Sequence, residues 1–206
     1  MFIVANGNDE LLECTVLRQM FEARKRVFVD LLKWDVPVLD GRFELDQFDD
    51  EHATYIIVAD RDGNHLGSAR LLPTIRQHIL GDLFPELCAD PVPAGPHVFE
   101  ITRFCLGRNQ GAAARRHTRN RLVSGLVSFA LERNIRTYTG VAEMSWLQQI
   151  LAFGWECRPL GLPLQHGGSL IGALAIAIGS ETPALLDRNG IWAAEALDLI
   201  PLPAAA

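Results

Sequence analysis

Hydrophobic positions along the chain follow two periods. Leu11, Leu12, Val16, Leu17, Met20, Phe21, Val27 and Phe28 recur at helical spacing, which predicts one or two amphipathic helices running to about Leu32. Asn8 or Asp9 is placed to cap their start. Alternating or continuous apolar runs predict strands. These are Phe2 to Ala5 as a short edge strand, His52 to Ala59 and Leu66 to Leu72 as a hairpin around Asp62-Gly63, and Val98 to Leu106 as a central strand. Arg136 to Val141, Cys157 to Leu160 and Ser169 to Ala177 follow. Between them, Ile75 to Leu87 reads as a short helix and loop, and Thr118 to Arg133 and Ser145 to Phe153 as helices. Thr182 to Arg188 and Ile191 to Leu197 read as short helices. Trp34 to Asp50 carries Pro37 and Gly41 and is expected to be irregular. The tail from Pro201 to Ala206 is expected to fray.

Helices, then a strand meander, then strand–helix–strand–helix–strand predict an α/β (α+β) fold, a three-layer αβα sandwich with a mixed sheet. The order is similar to the acyl-CoA N-acyltransferase (GNAT-like) architecture. A length of 206 residues with 49% apolar and 21% charged side chains suits one domain, 1–206, with a sizeable core. Net charge is −6, which argues against a general nucleic-acid binder. No apolar run reaches the roughly 18 residues of a membrane span, and the start lacks the basic region of a signal peptide. Cys14, Cys88, Cys105 and Cys157 lie far apart with no CxxC. Neither a metal site nor a disulfide framework is expected, and a cytoplasmic location is.

Charge is unevenly spread. Glu44 to Glu51, ELDQFDDE, holds five carboxylates in eight residues, whereas Arg103 to Arg136 holds eight arginines and one acid, Glu132. Solvated surface explains either run. So does a pocket for a cation beside a face for an anionic partner.

Within this pattern stands an ordered series: Arg24, Phe28, Trp34, Glu44-x-Asp46-x-x-Asp49, Arg70 in GSARLLPT, Phe84, and Glu100-x-x-Arg103 in FEITRF. The series resembles the acyl-homoserine-lactone synthases, the LuxI-type autoinducer synthases. The resemblance is close over roughly the first 105 residues and weaker through YTGVAEMSWLQQILAFGW. It implies that the α-amine of S-adenosylmethionine attacks an acyl thioester. The methionine carboxylate then closes the lactone and expels methylthioadenosine, giving a quorum-sensing signal. The thioester is carried by acyl carrier protein or coenzyme A. Both molecules are substrates, and no cofactor is implied.

The residue types suit that chemistry. Asp46 and Asp49 are candidates to hold the ammonium by charge-assisted hydrogen bonds, or to act as Asx-turn residues. Phe28 and Trp34 are candidates to face the sulfonium, or to pack in the core. Arg24 either closes over the ligand or pairs with the acidic loop. Arg70 and Arg103 are expected to orient the ligand carboxylate or the two aspartates, and a buried salt-bridge network explains the same set. Glu100 is the candidate general base, directly or through a water, because the attacking amine must be neutral. Glu100 and Arg103 sit three apart, which alternation would put on opposite faces, so FEITRF is expected to be bulged. Freed backbone N–H groups there are candidate oxyanion donors.

The resemblance assigns residues 8–50 to the S-adenosylmethionine pocket and 98–178 to the acyl-thioester half. It places Phe84, Thr102, Thr139, Gly140, Met144 and Leu147 at the acyl pocket. Thr139 or Gly140 occupies the position where a hydroxyl accompanies 3-oxo chains, and glycine there favours an unsubstituted chain. Phe84 also reads as simple core filling. Arg108-x-x-Gly111-x-Ala113 loosely matches an acyltransferase phosphate loop. With Arg115, Arg116 and Arg119 it is a candidate dock for a pantetheine phosphate or an acidic carrier protein, or else a basic surface loop. Two other classes remain open: an N-acyltransferase acting on another amine, and a non-catalytic binding protein using the arginine-rich face.

Overall fold

In the computed structural model, which describes residues 1–7, 12, 14–193 and 200–201, the chain forms two compact units. The first holds Met1–Leu71, Arg103–Gly125 and Glu195–Ala206, the second Leu72–Thr102 and Leu126–Ala194. Asn8, Asp9 and Leu11, the expected helix start, lie outside the described residues, as do most of the expected 191–197 helix and residues 202–206.

In the first unit, β1 (Phe2–Asn6) is followed by α1 (Thr15–Arg24). Val16, Leu17, Met20, Phe21, Ala23 and Arg24 are its buried residues, so the helical period of apolar positions becomes the packed face. The helix then widens into a π-helical stretch, Lys25–Leu31. Lys33 adopts a left-handed backbone, φ 60°, and ends the stretch. The expected irregular segment is mostly so, but it includes a two-residue hairpin, β2 (Val38–Leu39) with β3 (Phe43–Glu44). The strands β4 (Thr54–Ala59) and β5 (His65–Pro73) pair antiparallel, as the Asp62-Gly63 turn predicts. β1 pairs with β4 on one side and in parallel with the two-residue β11 (Ile200–Pro201) on the other. β1 is therefore not an edge strand, and Pro201 is held in a strand rather than frayed.

In the second unit, α2 (Ile79–Leu83) and a 3₁₀ turn, Pro85–Leu87, precede β6 (Val98–Leu106), whose last four residues belong to the first unit. β6 runs parallel to β7 (Thr137–Glu143), joined through α3 (Ala112–Glu132), whose residues up to Gly125 belong to the first unit. α3 begins six residues before the expected Thr118, because its opening turns are alanines and arginines, both strong helix formers. α4 (Met144–Leu151) leads to β8 (Cys157–Pro159), β9 (Leu164–His166) and β10 (Ser169–Ala177), and α5 (Thr182–Arg188) follows. β10 pairs antiparallel with β7, β8 and β9. Both units thus mix parallel and antiparallel pairing, as the fold class requires.

β6 loses its alternation at one point. Glu100, Thr102 and Cys105 are its buried residues, a step of two and then three. Arg103, at φ 50°, is where the step changes. This is the irregularity expected in FEITRF.

Candidate active site

The acidic run folds onto three arginines. The Asp46 carboxylate accepts the Phe48 N–H at 2.9 Å, and the Asp49 carboxylate accepts the Asp46 N–H at 2.9 Å. This Asx-type turn fixes both aspartates from their own backbone. Arg24, on the last turn of α1 and 1% exposed, grips Asp49 with two parallel N–H bonds of 2.7 and 2.8 Å and donates its Nε–H to Glu44. Arg70 forks onto Asp46 at 2.6 and 3.1 Å and reaches Asp49 at 2.9 Å. Arg103 donates to Glu44 at 3.0 Å and to Asp46 at 2.6 Å. Three guanidinium groups therefore face three carboxylates in a buried, charge-balanced lattice. The Tyr55 hydroxyl completes it with a 2.9 Å bond to Asp49.

The electrostatics follow from that geometry. Burial alone would raise the Asp49 pKa, but Arg24 and Arg70 outweigh it and hold the carboxyl well below the usual range. Burial alone would lower that of Arg24, yet Asp49 and Glu44 raise it. Burial and the neighbouring Asp49 charge push the Tyr55 phenol up. Both aspartates thus combine the Asx-turn role with ion pairing, and Arg24 is an acid-loop partner rather than a mobile cover.

Each arginine also lies over an aromatic face. Arg24 stands 5.0 Å from the Phe21 ring and Arg70 5.9 Å from Phe48. Arg103 stands 5.6 Å from Phe28 and 5.9 Å from Trp34. Phe28 and Trp34 are stacked, centroids 4.8 Å apart and planes 20° from parallel. The chain reversal at Lys33 turns the Trp34 N–H back to the Phe28 carbonyl at 2.9 Å. Phe28 packs with Ala23, Val27 and Cys105, and Trp34 lies half-buried against them. This aromatic wall is chemically suited to a cation.

In the second unit, Glu100 is fully buried, and its carboxylate accepts the Leu80 N–H of α2 at 3.1 and 3.2 Å. Thr139 is the Cα partner of Glu100 on the parallel neighbour β7, so the two side chains share one face of the sheet. Thr139 Oγ1 is fully buried and has no hydrogen-bond partner among the described residues. Thr102, 7% exposed, follows two residues after Glu100 on that face. Leu80, Leu87, Leu160, Ile171, Ala173 and Ala175 form an apolar cluster there, with Phe84 and Val141 packed against it.

The expected acyl-pocket residues do not all gather on this face. Alternation turns Gly140 to the opposite one, where Tyr138 bonds to the Leu126 carbonyl of α3. A Cβ on Gly172, whose Cα partner is Ala142, would meet Leu147 at 3.0 Å and Met144 at 3.4 Å. Gly140, Met144 and Leu147 therefore lie across the sheet from Thr139, Thr102 and Phe84. A single face cannot be read from chain order when a strand and its following helix both contribute.

The basic segment is organised by Gln110, which donates to the Leu66 and Gly107 carbonyls at 2.7 and 3.1 Å and accepts the Thr118 hydroxyl at 2.6 Å. Arg108 and Arg116 are exposed, and Arg115 and Arg119 are half-buried on the first turns of α3. Helical bonding starts at the Gly111 carbonyl, which accepts the Arg115 N–H. Burial and Arg116 lower the Arg119 pKa.

Sequence reasoning missed Tyr55, Phe21 and Phe48, and it gave Glu44 no role of its own. Glu44 was visible as the first acid of the run. Tyr55, a hydroxyl-bearing ring in a mostly apolar strand, was another signal. Among the described residues no group of three or more potential metal ligands occurs, and no helix is long and apolar enough to cross a membrane.

Residues 8–184 match the family model described as autoinducer synthase. An acyl-homoserine-lactone synthase of Ralstonia nicotianae is 35% identical over 172 residues, 81% of this chain and 84% of that protein. The structure of BjaI, a CoA-dependent acyl-homoserine lactone synthase with SAM and isopentyl-CoA, aligns with a TM-score of 0.79 at 28% identity. That alignment covers 92% of this chain and 89% of BjaI. An acyl-CoA N-acyltransferase from Pseudomonas aeruginosa, 15% identical with a TM-score of 0.55 over 86% of this chain and 99% of its own, shares the fold alone. The fold is accordingly the GNAT-like α/β fold, and the chain belongs to the autoinducer synthase family of acyltransferases.

Proposed function

We propose that this protein makes an acyl-homoserine lactone in two steps on one polypeptide. The amine of S-adenosylmethionine attacks an acyl thioester carbonyl, the thiol leaves, and an amide forms. The methionine carboxylate oxygen then attacks its own γ-carbon, and methylthioadenosine departs as the C–S bond breaks. Residues 8–50 with Arg70 and Arg103 hold the sulfonium substrate, and 98–178 hold the thioester. The single observation that carries the reading is the Glu100 carboxylate, oriented by the Leu80 N–H and buried beside the unpartnered Thr139 hydroxyl.

Glu100 accepts the proton that the amine loses on attack. The fixed aromatic pair Phe28–Trp34 presents a negative face to the sulfonium. The lattice of Arg24, Arg70 and Arg103 holds Asp46 and Asp49 ready for the ammonium without reorganisation. Thr139, rather than Gly140, shares the face of the base, which favours a chain with an oxygen at its third carbon. The phosphate-bearing arm of coenzyme A or of a carrier protein docks at Arg108, Gly111, Arg115, Arg116 and Arg119, at the start of α3. The substrates are metabolites of the cytoplasm, where this reading places the enzyme. Neither a metal nor a further cofactor enters either step.

The test is direct. Purified protein, S-adenosylmethionine and a panel of acyl-CoA and acyl-carrier donors should release methylthioadenosine and a lactone in equal amounts. An amide of another amine, with no methylthioadenosine from any donor, would replace this reading with that of an ordinary N-acyltransferase.

A further inference from the structure

The register of β10 lays out a path along one face of the second unit. Thr139 opposes Ala175, Val141 opposes Ala173, and Glu143 opposes Ile171 on β7 and β10. Beyond them, Ile171 opposes Leu164 and Ser169 opposes His166 on β9. All these positions on β10 are two apart, so His166 is on the same face as Thr139, six residues farther along. Six residues span about 20 Å at about 3.3 Å each. The path starts at a buried unpartnered hydroxyl, continues over alanine methyls opposite Leu80 and Phe84 of the α2 segment, and ends at His166.

At that end, Phe84 and His166 meet edge to face, with ring centroids 4.9 Å apart and planes at 88°. Both rings are held by their backbones. Phe84 closes α2 immediately before Pro85, which restricts its conformation. His166 precedes the two-glycine turn Gly167-Gly168, with φ of 55° and 84°, a turn that locks the register of a hairpin. His166 is itself exposed, and the neighbouring Leu83 and Leu164 are 48% and 36% exposed. The face therefore reaches solvent beside this ring pair, past one polar contact on the same face, the Ser169 hydroxyl donating to Glu143 at 3.2 Å.

We infer that the Phe84–His166 contact is the outer stop of the acyl-chain path and that His166 is a specificity-determining residue for chain length. The inference rests on the acyl-thioester reading of the Glu100–Thr139 face. A chain whose carbonyl lies at Glu100 runs along β10 and stops against the His166 ring. Longer chains meet the ring edge, while shorter ones leave the apolar end unfilled.

The experiment measures kcat/KM for saturated acyl thioesters of increasing length with wild type, His166→Ala, His166→Trp and His166→Phe. His166→Ala should move the preferred length upward, raising the ratio for a donor two carbons beyond the wild-type optimum by about tenfold or more, the usual scale of methylene discrimination. His166→Trp should move it downward. His166→Phe keeps an edge-to-face ring and should keep the wild-type profile, which a merely structural loss would not. Lactone formation with the same length profile in all four proteins overturns the inference and leaves the synthase reading standing. Failure of wild type to form lactone with any donor overturns the synthase reading instead.

Discussion

Thr139 stands rung to rung with Glu100 on adjoining parallel strands, and its buried hydroxyl finds no bond among the described residues. A buried hydroxyl without a partner is a cost to the folded protein. Thr139→Val should therefore unfold at the same temperature as wild type or higher. In turnover it should lose about tenfold or more in kcat/KM for donors with an oxygen at the third carbon, relative to unsubstituted ones. Calorimetry and paired-donor kinetics check the two halves separately.

Glu100→Gln keeps an oxygen for the Leu80 N–H but cannot take a proton from the amine. Amide formation should fall by about 10²- to 10⁴-fold, with circular dichroism unchanged. Wild-type turnover in this variant would remove the proton-acceptor role.

The arginine–carboxylate lattice should be costly to break from one side. Asp49→Asn leaves Arg24 and Arg70 short of a charge and disturbs Tyr55 as well. A loss of about 3–5 kcal/mol in unfolding free energy is expected, the usual consequence of stranding a buried charge. Urea denaturation of wild type and variant measures it.

Acid should act at two stages. Burial, with Arg26 nearby, lowers the His65 pKa to about 4, while the unfolded chain binds that proton near pH 6.5. Between those values the unfolded state holds more protons, so stability falls as pH drops from about 6.5 toward 4. The expected loss is on the order of 2 kcal/mol, allowing for the ring's partial exposure. His65→Gln should abolish that slope. Asp49 acts lower: its stabilisation is complete above about pH 4 and drains away only below it. Denaturation curves at pH 7, 5, 4 and about 2.5 should separate the two.

Reversing charge at Arg115 and Arg116 to glutamate should raise KM for the acyl donor and weaken its salt dependence, with little effect on kcat. Steady-state kinetics at low and high salt tests the docking assignment.

What could be read from the chain divides by physical range. The amphipathic period of Val16 to Phe28 and the turn at Asp62-Gly63 are local signals, and both survived folding. The three-residue spacing of Glu100 and Arg103 even announced the break in β6. The choice between Thr139 and Gly140 was not local, because it depends on which residue of β7 lies beside Glu100. The role of Tyr55 depends on a loop six residues before it curling back beneath three arginines. β9, three exposed residues with no period of their own, exists only because β10 offers an edge. The early start of α3 is carried by alanines and arginines, good helix formers that the neighbouring Gly111 makes read as loop.

The π-helical stretch from Lys25 to Leu31 has a consequence for how this enzyme can vary. A wide turn of this kind is what one surplus residue becomes when a helix absorbs it. Removing any residue between Arg24 and Phe28 would let ordinary α-helical bonding resume, and the segment would be locally more comfortable. The same deletion would swing Phe28 by roughly 100° around the axis, off the face of Trp34. A tidier helix would thus break the Phe28–Trp34 stack, so the length of this segment fixes that contact as much as the identity of its residues does.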